Sequence, residues 1–205
     1  MNRQDHWNAI YRLKGEREVS WFEPEATISL EMVKASGIVA ETSVLDVGAG
    51  ESRFVDGLLA MGLSRITLLD ISAEALERTR ARLGPAGKAL TWIAADVTGE
   101  WAADPVDVWH DRAVFHFLTD AADRARYMRR LNELVTPHGT AIIATFAPDG
   151  PEICSGLPVM RYAPDELHAE FGNAFTLLAH EEQLHHTPFG TDQQFIYCMC
   201  RKSAA

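Results

Sequence analysis

Two carboxylates and two glycines are the residues of this chain whose types and spacing point most directly to chemistry. Asp46, Gly48 and Gly50 stand in Val44-Leu45-Asp46-Val47-Gly48-Ala49-Gly50-Glu51-Ser52, and Asp70 closes Ile66-Thr67-Leu68-Leu69-Asp70. Both runs are short and apolar, as buried parallel strands are. After the glycines, Phe54, Val55, Leu58 and Leu59 recur with helical spacing, and Ser52 is placed to cap that helix. Strand, glycine turn and helix form the corner at which open α/β sheets hold nucleosides, because a glycine admits a ligand where a Cβ would not. A carboxylate at the tip of the neighbouring strand can accept hydrogen bonds from both hydroxyls of a ribose. The competing reading makes Gly-x-Gly a tight turn and Asp70 the residue that opens the next helix, with Ser72 as its N-cap.

The charge at the corner selects the ligand. A dinucleotide site needs a small residue where Arg53 stands, so that the helix start can hold a pyrophosphate, and Asp46 would repel that anion. A ligand carrying an ammonium and a sulfonium, without phosphate, would be favoured beside Asp46. With Asp46-Val47-Gly48-Ala49-Gly50 as the first motif, the chain resembles the class I S-adenosylmethionine-dependent methyltransferases. The likeness is strongest to small bacterial members, through His6-Trp7, Val19-Ser20-Trp21-Phe22 and Trp109-His110-Asp111-Arg112-Ala113-Val114-Phe115-His116-Phe117-Leu118. Protein-lysine methyltransferases acting on citrate synthase and elongation factor look similar around the last segment. Ser52 and His138 depart from the broader family, which often has glycine at both places.

Size and charge narrow the classes. The 205 residues, 47% of them hydrophobic, suffice for one well-filled core and are few for two domains. A formal net charge of −10 without a Lys/Arg cluster argues against nucleic acid. Met1 to His6 holds no apolar signal core, and no apolar run reaches membrane-spanning length. Cys154, Cys198 and Cys200 make no disulfide framework and fit a cytoplasmic protein. No CxxC or HxxxH spacing joins Cys154, His116, His185 and His186 into a zinc site, so no metal is expected.

The elements that must position these residues follow an α/β rhythm. Helices are expected over 3–13 and 26–36, separated by an irregular segment in which Trp21 and Phe22 either staple the chain to the core or form an active-site flap. Strands over 44–47, 65–69, 90–94, 106–109 and 140–146 alternate with helices over 52–61, 73–83 and 120–135. A loop over 147–164, a helix over 164–171 and a hairpin of 175–184 with 192–200 complete the chain, and the Ser203–Ala205 tail is expected to fray. Periodicity alone yields a three-layer α/β protein. The resemblance implies a Rossmann-like seven-stranded, mostly parallel sheet with a C-terminal antiparallel hairpin. It divides a single domain into a cap (1–37), a cofactor-binding core (42–148) and a substrate side (149–205).

The same resemblance implies S-adenosyl-L-methionine as cofactor and S-adenosyl-L-homocysteine as product. Asp46, Gly48, Ala49 and Gly50 would face the methionine part, Asp70 the ribose, Ile71 the adenine ring, and Asp96 with Val97 the adenine amino group. Asp96 otherwise reads as a turn carboxylate. His110 is a candidate for the methionine carboxylate. His116 and Asp111 are the catalytic candidates: His116 for substrate contact or proton removal, since imidazole titrates near neutrality, or else a buried histidine satisfied by a backbone carbonyl. Asp111 with Arg112 reads equally as an internal ion pair. Trp21, Phe22 and Cys154 belong to the substrate side, Cys154 alternatively as apolar filler. The expected activity is direct methyl transfer to a small nucleophile, a thiol or amine. The alternatives are a protein-lysine methyltransferase and a non-catalytic cofactor-binding regulatory domain; the oligomeric state is left open.

Overall fold

A computed structural model describes residues 2–204. In chain order the elements are α1 (Arg3–Leu13), α2 (Thr27–Ala35), β1 (Ser43–Val47), α3 (Phe54–Ala60), β2 (Arg65–Asp70), α4 (Ala73–Leu83), β3 (Thr91–Ala94) and β4 (Val106–Arg112). There follow α5 (Ala121–Leu134), β5 (Val135–Phe146), the short strands β6 (Ile153–Cys154) and β7 (Leu157–Pro158), α6 (Pro164–Phe171), β8 (Phe175–His186) and β9 (Asp192–Lys202).

The main sheet runs β3-β2-β1-β4-β5-β9-β8. Pairs among β1 to β5 are parallel, and β9 lies antiparallel between β5 and β8. Strand order reverses between β1 and β4, and the crevice outside their carboxyl ends is where such sheets bind ligands. Side-chain alternation sorts the central strands between two cores. Val44 and Val108 join α2 and α3 on one face, whereas Leu45, Val47 and Trp109 join α5 and α6 on the other. Asp46 and His110 are paired in register, so both point to the α2/α3 side.

Two expectations change. The strand expected over 140–146 starts earlier, at Val135, and between Val106/Val135 and Val108/Thr140 its pairing slips while His138 takes φ +64°. The loop expected over 147–164 carries the β6–β7 hairpin. In the tail, the Ser203 N–H donates to the Ala174 carbonyl at 2.9 Å, while Met1 and Ala205 lie outside the described residues. Among the described residues no helix is long and apolar enough to cross a membrane.

Candidate functional site

Two adjoining cavities open at the carboxyl ends of β1, β2 and β4. The first is floored by Gly48, Asp70, Ile71, Asp96 and Val97 and roofed by Trp7, Tyr11 and Trp21. The second is lined by Asp46, His110, the 48–53 turn, Phe22 and Glu23. Tyr11, Trp21, Gly48 and Arg112 border both, so they mark the junction.

The glycine turn is built from the strand outward. The Gly48 and Ala49 N–H groups both donate to the Leu69 carbonyl, at 2.7 and 3.0 Å, locking β1 to β2 at its tip. Gly48 and Gly50 take φ +67° and +48°, a region costly for other residues. A Cβ on Gly48 would collide with the Val114 side chain, and one on Gly50 with the Tyr11 hydroxyl. The room expected for a ligand thus admits two side chains that themselves form cleft walls.

Asp70 takes the turn role weighed for it and also borders the first cavity. Its Oδ1 accepts from the Ser72 N–H at 2.7 Å, and Ser72 caps α4. Its Oδ2 accepts from Gly50 N–H at 2.9 Å, and the same carboxylate lines the first cavity. Burial pushes its pKa up to about 6, against the opposing pull of those N–H groups. Asp96 likewise serves a turn: Oδ1 accepts from Thr98 N–H at 2.8 Å and Oγ1 at 2.7 Å, while Oδ2 faces Arg3 at 3.6 Å on the cavity rim.

Asp46 and His110 sit on adjacent strands with relative exposures of 3% and 2%. His110 Nδ1 lies 2.7 Å from Asp46 Oδ1, and Nε2 lies 2.8 Å from Ser29 Oγ on α2. Phe54 stacks on the imidazole at 3.8 Å. Both ring nitrogens are engaged within the protein, which leaves none for the methionine carboxylate expected of His110. Asp46 Oδ2 is buried without a hydrogen-bond partner.

Neither catalytic candidate lines the cleft. Asp111 points to the α5 side, accepting from Tyr127 Oη at 2.6 Å, Val114 N–H at 2.9 Å and Phe115 N–H at 3.1 Å. Its pKa rises to about 6 through burial. His116 is fully buried against Phe117 and Phe146, with both nitrogens unpartnered, and burial beside Arg112 lowers its pKa to about 3. The burial fits a core histidine, but the backbone carbonyl expected to satisfy it is not there, since the apolar rings around it offer no acceptor. No Asp111–Arg112 pair forms, because successive strand residues face opposite ways. Arg112 instead meets Glu23 at 3.1 Å, Tyr197 Oη at 2.9 Å and the Trp21 carbonyl at 3.0 Å.

Cys154 and Trp21 do line the first cavity, and Phe22 lines the second. Burial raises the Cys154 thiol, which keeps it protonated and poorly nucleophilic. The cleft residues that sequence reasoning left unassigned are Arg3, Trp7, Tyr11, Glu23 and Arg112. Trp7 and Tyr11 recur at i and i+4 on α1, a signal that reads equally well as ordinary packing.

Residues 44–139 match the family described as "Methyltransferase domain". An uncharacterized methyltransferase of Mycobacterium bovis is 36% identical over 119 residues, 56% of this chain and 54% of that one. Nodulation protein S of Bradyrhizobium diazoefficiens is 29% identical over 125 residues, 61% of this chain and 56% of that one. The chain thus spans about half the length of the curated relatives it matches. The solved N-methyltransferase NodS from Bradyrhizobium japonicum, in complex with S-adenosyl-L-homocysteine, superposes with a TM-score of 0.71 at 14% identity, covering 96% of this chain and 98% of that one. The matched segment holds the glycine corner tied to the next strand's carboxylate and so resembles a methyltransferase domain, and the sheet whose last strand turns back beside the fifth shares the fold of that solved N-methyltransferase.

Proposed function

We infer that the protein is an enzyme that binds S-adenosylmethionine across the tips of β1 to β4 and passes its methyl group to a small nucleophilic acceptor, an amine before a thiol. The observation that carries this is a pair of buried carboxylates facing adjoining cavities: Asp70 in one, and Asp46 with an unpartnered Oδ2 in the other. Buried polar atoms are nearly always satisfied, so an orphaned carboxylate oxygen in a residue that lines a cavity fits a cationic ligand group. The pair therefore suits a nucleoside with an ammonium tail and no phosphate. When bound, that cofactor supplies a methyl carbon already activated by its sulfonium.

The chain's own residues then bind, orient and enclose. Asp70 accepts from the ribose hydroxyls, Asp46 holds the ammonium, and Ile71 and Val97 flank the adenine, with Asp96 near its amino group. Trp7, Tyr11 and Trp21 close over the junction and exclude water, so that alignment of nucleophile, carbon and sulfur carries the rate. An amine is ranked first because the solved relative with this fold is an N-methyltransferase and the curated relative Nodulation protein S shares sequence with this chain. Calorimetry is expected to show binding of S-adenosylhomocysteine and none of NADH; equal binding of both would reject the cofactor assignment. Labelled-methyl transfer across small amines, thiols and whole-cell protein then ranks the acceptors, and label appearing only in protein would replace the small-molecule reading.

A further inference from the structure

We propose that His110 and Ser29 form a positioning relay that holds the Asp46 carboxylate for the ammonium group of the cofactor. This rests on the cofactor reading above and adds two residues that touch no reacting atom. The geometry runs in one line from α2 to the second cavity: Ser29 Oγ to His110 Nε2 at 2.8 Å, then His110 Nδ1 to Asp46 Oδ1 at 2.7 Å. Ser29, His110 and Asp46 have relative exposures of 1%, 2% and 3%. A ring nitrogen facing a carboxylate must carry the proton, so Nδ1 donates to Asp46, and Nε2 takes its hydrogen bond from the Ser29 hydroxyl. Phe54, stacked at 3.8 Å, holds the ring plane.

The consequence falls on the other oxygen. With Oδ1 tied to His110, the carboxylate cannot rotate away, and Oδ2 stays buried with no partner of its own in a residue that lines the second cavity. Without the relay, an isolated carboxylate this deeply buried would be free to turn toward backbone donors. Ser29 and His110 therefore hold one oxygen so that the other stays available.

Substitution at His110 separates this role from general packing. His110→Asn keeps a donor close to the place of Nδ1, whereas His110→Gln moves the amide toward the place of Nε2 and loses Asp46. Binding is measured by calorimetry for S-adenosylhomocysteine and for its analogue lacking only the α-amino group. His110→Gln is expected to weaken S-adenosylhomocysteine about tenfold and leave the deaminated analogue unchanged, with His110→Asn close to wild type and Ser29→Ala between them. Nitrogen NMR of the free and liganded protein should show Nδ1 protonated in both. Equal weakening of the two ligands, no weakening at all, or an unprotonated Nδ1 would overturn the relay while leaving the cofactor reading intact. A wild-type protein that binds neither ligand overturns both.

Discussion

At Asp70 one side chain serves the turn and the cleft together, and its protonation links the two. Both of its oxygens already accept from backbone N–H groups, yet the carboxylate still borders the first cavity. Asp70→Asn is expected to weaken S-adenosylhomocysteine binding by roughly 1.5–3 kcal/mol, the range for a charge-assisted hydrogen bond. Calorimetry that finds no loss would place the ribose elsewhere. The ionised form is the one that accepts from two hydroxyls, and its pKa in the free protein is raised to about 6 by burial. Affinity should therefore be flat above neutrality and fall as the pH drops through 6, by about tenfold at pH 5. A titration unchanged over that interval would show that Asp70 does not hold the ligand.

Among the elements, the glycine turn and α1 decide the shape of the cleft. Gly48→Ala places a side chain in the left-handed region and against Val114, and should lower unfolding stability by about 1–3 kcal/mol. Combining it with Val114→Ala should recover the part due to the collision; a double variant that behaves as the sum of the singles would place the whole cost in the backbone. Helix α1 is latched over the sheet tips by ion pairs of Arg3 with Asp123 and Arg12 with Glu74, and by Asn8 meeting Ser72 Oγ at 2.8 Å. Its Trp7 packs on Phe117 at 5.0 Å and Trp21 at 5.8 Å, completing the roof. Trp7→Ala should weaken S-adenosylhomocysteine about tenfold and shift the unfolding midpoint far less, since the ring borders a cavity. A large loss of stability with unchanged affinity would make α1 a structural staple only.

Over the whole molecule, buried titratable groups pull acid stability in opposite directions. His116 has a folded pKa of about 3, below its usual value of 6.5, so the unfolded chain binds the extra proton and stability falls as the pH drops below 6.5. Asp70 and Asp111, with folded values of about 6 above the usual 3.8, bind a proton first in the folded state and add stability over the interval from 6 down to 3.8. His116→Leu removes the opposing contribution, on the order of 2 kcal/mol at pH 4.5, and should show a smaller drop in Tm between pH 7 and 4.5 than the wild type. Equal drops would remove His116 as the cause. The βα order, the glycine corner, Asp70 and the antiparallel hairpin were legible in the chain because each rests on local spacing: period two, period 3.6, and a fixed count from turn to strand tip. Spacing could not tell which face of β4 each residue takes once its register is set against β1. That register sends Asp111 to Tyr127, His110 to Asp46 and Arg112 to Glu23, contacts between residues far apart in the chain. The sequence by itself determined the α/β order and the glycine corner, and its likeness to methyltransferases implied the sheet. Tertiary packing alone decided that His116 is enclosed, that Trp7 and Tyr11 are cleft walls, and that Asp46 keeps one oxygen free, because burial and pairing depend on neighbours that local pattern does not specify.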